Sequence, residues 1–78
     1  MSVSKVANSG VNYLRVIALR KKRGWTTTEL AKRAEISVRR AFYLEHGEVT
    51  NVKAITLKRL AQALGTSTDF LLDLTDKP

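Results

Sequence analysis

Thr26 and Ser37 both read as helix starts, and they stand eleven residues apart. Thr26 is followed three residues later by Glu29, the spacing of a capping box, and Trp25 before it is placed to staple onto Leu30. Ser37 is a good N-cap, with Ile36 ahead of it as the expected buried turn residue. Two helices this close leave room for one tight turn between them. Leu30, Ala31 and Ala34 fall on one face of the earlier helix, and Ala41 and Leu44 on one face of the later. The small residues Ala31 and Ala41 suit a close crossing. The later helix then turns Val38, Arg39, Arg40, Phe42 and Tyr43 outward. Two crossed helices with a tight turn form a helix-turn-helix, whose second helix is shaped to enter a DNA major groove.

The rest of the chain frames these two helices. Gly24, Gly47 and Gly65 each follow a stretch of helical period, and the one proline is Pro78. Glycines just past helix ends and no interior proline predict an all-α domain. A first helix is expected over Asn12–Arg23, with Leu14, Val16, Ile17, Ala18 and Leu19 as a broad apolar face. Arg20, Lys21, Lys22 and Arg23 fill its last turn, where the helix dipole favours cations. A fourth is expected over Val52–Leu64 with Asn51 as N-cap and Ile55, Leu57, Leu60, Ala61 and Leu64 available to the core. A short fifth runs from Ser67 to Leu74, with Asp69 in its first turn. The expected organisation is an N-terminal arm over residues 1–11, a domain over 12–74 and a tail over 75–78.

With 78 residues, the chain makes one domain of marginal size. It has no cysteine and a single histidine, His46, so no disulfide or metal cluster supports it. Dimerisation is an expected source of extra stability. Phe70, Leu71 and Leu74 are the expected interface, because the last helix has more apolar side chains than its own core needs. No apolar run approaches the roughly 18 residues of a membrane span, and the first ten residues lack a signal peptide's apolar core. A cytoplasmic location is the expectation.

The net charge of +7 is unevenly placed. Residues 1–60 carry a net of +9 and residues 61–78 a net of −2. That asymmetry suits a nucleic-acid face with an acidic far end. Glycine-rich phosphate loops, metal-ligand spacings and nucleophile–base arrangements are missing, so no enzymatic activity, cofactor, metal or small-molecule substrate is expected.

The segments 19–26, 29–31, 36–37, 44–47 and 60–67, in this order and spacing, resemble the Cro/C1-type (XRE) helix-turn-helix family of phage repressors and small bacterial regulators. The resemblance covers roughly residues 12–74. It implies a compact five-helix lambda-repressor-like fold. By position it places Ser37, Val38, Arg39 and Tyr43 against base edges. Thr26 and Thr27 would touch a phosphate, and Arg40, His46 and the turn after Gly47 would face the flanking backbone. Arg20 and Glu45 match a pair that ties the first helix to the end of the third in many relatives. Glu35 stands where the family's turn usually has a left-handed glycine, at a cost of roughly 1 kcal/mol. Val52 replaces a proline common at the start of the fourth helix.

The side chains themselves refine this picture. Arg39 suits a bidentate bond to guanine, and Val38 and Phe42 suit a thymine methyl. Phe42 equally suits packing against the fourth helix or a partner subunit. Lys53 lies near a helix N-terminus, where free amides also meet phosphate. Lys58 is a weaker candidate, and Lys5 belongs to the arm. The expected function is a transcriptional regulator of double-stranded DNA, a repressor binding a palindromic operator as a homodimer. The alternatives are a protein-interaction module such as an antitoxin binding a toxin, a regulator touching polymerase, or the DNA-binding part of a longer regulator.

Overall fold

The computed structural model describes residues 10–48 and 51–78. Among them the chain forms α1 (Tyr13–Lys22), α2 (Thr27–Ala34), α3 (Val38–Glu45), α4 (Ala54–Leu64) and α5 (Thr68–Leu71), with no strand. No helix there is long and apolar enough to cross a membrane. Residues 1–9 of the expected arm, including Lys5, and the later part of the turn after Gly47 lie outside the described residues.

Four of the five helices are started by a side chain. Asn12, Thr26, Ser37 and Ser67 accept from the amides of Leu14, Glu29, Arg40 and Phe70. Each cap satisfies a first-turn amide that the helix itself cannot. The capping box at Thr26 is half made. Its hydroxyl oxygen holds the Glu29 amide at 3.1 Å, but the Glu29 carboxylate accepts from Arg33 Nε at 2.9 Å, one turn along.

All five helices stop in the same way. One or two residues beyond each helix the chain takes a left-handed conformation, and two amides fold back on the last turn. The stops are Gly24, Glu35, Gly47, Gly65 and Asp73. At Glu35, for example, the Ile36 amide bonds Ala31 O at 3.0 Å and the Glu35 amide bonds Lys32 O at 3.3 Å. At Asp73 the Leu74 amide bonds Asp69 O at 2.8 Å and the Asp73 amide bonds Phe70 O at 3.3 Å. Three stops were legible as glycines; the two non-glycine stops are held by side chains. Asp73 accepts from Asn12 Nδ2 at 3.0 and 3.2 Å and pairs with Arg15 Nε at 3.3 Å. Glu35 reaches Arg59 Nε at 3.6 Å, an exposed and weaker contact.

The core joins Val11, Val16, Leu30, Ala34, Leu44, Leu60, Ala61, Leu64 and Leu71, so every helix contributes. Ala31 and Ala41 are also buried, where α2 packs on α3. Burying a leucine such as Leu44 contributes about 1.5–3 kcal/mol.

Several expectations change. Leu14 is 63% exposed and Ala18 is exposed, so α1 buries a narrow stripe through Val16. Lys21, Lys22 and Arg23 at its end stay in water, while Arg20 turns inward. Ile36 is half-buried against the core. α4 begins at Ala54, with Lys53 at the cap position and no capping side chain. Asn51 therefore does not cap it, and Val52 packs on the core ahead of the helix instead of starting it. Ile55 in the first turn is 50% exposed. α5 ends at Leu71, because the left-handed Asp73, anchored to α1, stops it early. Val11 is buried and belongs to the packed body, not to an arm. Thr75 and Asp76 of the tail both bind Arg15.

Candidate nucleic-acid interface

The outward face of α3 is fixed from behind by one ionic network. Arg20 Nε of α1 donates to Glu45 Oε2 at 2.7 Å, making the pair expected between them. The same guanidinium donates to Trp25 O at 2.8 Å in the turn before α2. Thr27, the first residue of α2, donates its hydroxyl to Glu45 Oε1 at 3.0 Å. Glu45 is a buried carboxylate satisfied on both oxygens. The network ties α1, the entry to α2 and the last turn of α3 together, so α3 cannot rotate about its axis without stranding a charge.

Thr27 is corrected by this geometry. Its single hydroxyl proton is taken by Glu45, so the side chain has no donor left for a phosphate. Thr26 differs: its oxygen accepts the Glu29 amide, and its O–H stays available at an exposed position. Helix geometry leaves the first-turn amides of Thr27 and Thr28 pointing the same way.

Arg39, Arg40, Ser37 and Tyr43 line a shallow concavity of about 240 Å³ on the outer side of α3. Among the described residues, neither Arg39 nor Arg40 has an acidic partner. Val38 and Phe42 on the same helix are about half exposed. His46 closes the helix, with Nδ1 2.8 Å from Phe42 O and its ring stacked on Phe42 at 4.0 Å. Lys53 is exposed at the start of α4.

The remaining basic residues divide by role. Arg23 donates to Leu64 O at 3.2 Å and lies over Trp25, while Lys21 and Lys22 are exposed. Arg15 was not foreseen. It donates to Phe70 O and Thr75 O at 2.8 and 2.7 Å and covers the Phe70 ring, locking α5 to α1. Its signal in the sequence was its separation from the basic run at residues 20–23. Of the residues expected at a dimer interface, Leu71 is fully buried within its own subunit and has no surface to offer. Phe70 is half-buried under Arg15, and Leu74 is 70% exposed.

Five helices around a crossed α2–α3 pair, with an unpaired basic face on α3, define a helix-turn-helix domain. The chain belongs to the Cro/C1-type helix-turn-helix family: a family model described as helix-turn-helix matches residues 16–71. Among solved structures, the DNA-binding domain of the P22 C2 repressor is 30% identical, with a TM-score of 0.73, over 91% of this chain and 95% of that one. SinR, from Bacillus subtilis, is similar in two settings. SinR in complex with DNA, described as the master regulator for biofilm formation, is 28% identical over 78% of this chain and 97% of that one, with a TM-score of 0.75. The SinR chain in a complex with the SinI protein is 28% identical with a TM-score of 0.74, and this chain spans 59% of its length. No curated protein matches the sequence significantly.

Proposed function

We propose that this protein is a sequence-specific DNA-binding regulator of transcription, with no catalytic activity of its own. α3 enters the major groove. Arg39 pairs with a guanine, and Ser37, Val38 and Tyr43 meet neighbouring base edges. Thr26, the free amides behind it, Arg40, His46 and Lys53 hold the flanking phosphates. The observation that carries this reading is the pair of unpaired arginines on a helix fixed rigidly from behind. The similarity to SinR in complex with DNA and to the P22 C2 repressor domain supports it.

The protein acts as a cytoplasmic homodimer on a palindromic operator, its two α3 helices about 34 Å apart, one turn of the duplex. Leu74 and the exposed edge of Phe70 cover part of the partner, without Leu71. Repression is the simplest outcome, since a domain bound in the groove occupies the site that polymerase needs. Selection of bound duplexes from a random pool tests all of this together. The expected product is an inverted repeat with half-site centres 10–11 base pairs apart. A pool with no enriched sequence would refute the proposal.

A second reading is a protein-interaction module. It rests on the exposed Leu14 and Leu74 and on the similarity to SinR in its complex with SinI. Co-purification of a stoichiometric protein partner, with no selected duplex, would favour it.

A further inference from the structure

Val38, Phe42 and His46 follow one another at four-residue spacing and form a single stripe along α3. The stripe is apolar and aromatic on a helix that otherwise presents arginines. Phe42 is 49% exposed, yet its ring is not free. His46 stacks on one side of it, with the planes 28° apart, and is itself held by the bond from its Nδ1 to Phe42 O. Tyr43 approaches edge-on, 6.2 Å between centroids at 71°. A large apolar surface is thus held out toward solvent, with Val38 extending it by one turn.

The surroundings select what covers that surface. Arg39 borders the stripe on the outer side of α3, and the one acid on the helix, Glu45, faces inward to Arg20 and Thr27. A partner that meets this face is anionic beside Arg39 and apolar at one point. In a major groove, the apolar group displayed among the polar base edges is the C5-methyl of thymine, and 5-methylcytosine displays the same group.

We propose that Phe42, braced by His46 and continued by Val38, is a reading site for a 5-methylpyrimidine. This rests on the placement of α3 in the major groove proposed above. It adds a specificity-determining residue whose target is a methyl group and not a hydrogen-bonding edge.

The test uses the full chain and a duplex selected from a random pool. Each thymine of one half-site is replaced in turn by deoxyuridine, which removes the methyl and keeps every hydrogen-bonding group. At one or two positions, affinity falls about fourfold, the effect of one buried methyl group. In Phe42→Ala that loss disappears, while losses at other positions persist. Lys53→Ala weakens thymine and deoxyuridine duplexes alike and keeps their ratio. With cytosine at the sensitive position, 5-methylation restores about fourfold in the wild type and nothing in Phe42→Ala. Because Phe42 is outside the core, the variant keeps the wild-type melting temperature. The proposal is overturned if no thymine is sensitive, or if the sensitive position stays sensitive in Phe42→Ala, even though a palindrome is selected. Failure to select any sequence instead removes the DNA-reading function on which it rests.

Discussion

Arg20 of α1 and Glu45 of α3 meet at 2.7 Å with both side chains largely out of water. The pair is a joint between two helices far apart in sequence, not a surface decoration. Removing one partner leaves a buried, uncompensated charge, at a cost of about 3–5 kcal/mol. A change of 1 kcal/mol moves the melting temperature of a domain this small by about 4–8 °C. Glu45→Ala and Arg20→Ala should each lower it by well over ten degrees or leave the chain unfolded, by circular dichroism. A loss under about 4 °C would show that the pair contributes no more than an exposed one.

The two non-glycine stops should respond differently to glycine. Glu35 has φ 59° and only an exposed contact at 3.6 Å to Arg59. Glu35→Gly should relieve about 1 kcal/mol of left-handed strain and raise the melting temperature. Asp73 has φ 62° but also accepts from Asn12 and pairs with Arg15. Asp73→Gly should bring no gain, because those bonds are lost with the strain. A rise at Asp73 equal to that at Glu35 would count against this account.

Thr27 should behave as a structural residue. Thr27→Val removes a hydrogen bond to a carboxylate, worth about 1.5–3 kcal/mol, and should lower the melting temperature accordingly. Affinity of the folded variant for DNA should not change. A uniform loss of affinity across all sequences would return Thr27 to the phosphate contacts.

Arg39 and Lys53 should separate reading from anchoring. A dimer that neutralises about four phosphates per subunit has a log–log salt slope near −7. Arg39→Ala should relax the preference at one base position by about 1–3 kcal/mol, with little effect on non-specific binding. Lys53→Ala should weaken all sequences together and reduce the magnitude of the slope. If neither variant differs from wild type on the selected duplex, α3 is not in the groove.

Local chemistry in the chain was enough to define the five helices, three of their stops and the helix-turn-helix. The caps at Thr26 and Ser37 and the glycines at 24, 47 and 65 act over four or five residues, so their effect can be read without a fold. The outward set on α3 was legible for the same reason, since Ala41 and Leu44 alone fix which side faces in. Long-range competition decided the remainder. Leu14 and Ile55 are apolar but exposed, because the packing directions of α1 and α4 were set by other residues. Asp73 ends α5 early only because Asn12 and Arg15, about sixty residues away in the chain, hold its carboxylate. Thr27 gives its proton to Glu45 instead of a phosphate because α3 folds back across the start of α2. Hydrogen-bond partners are chosen by proximity in space, and proximity between distant segments exists only once the chain has folded.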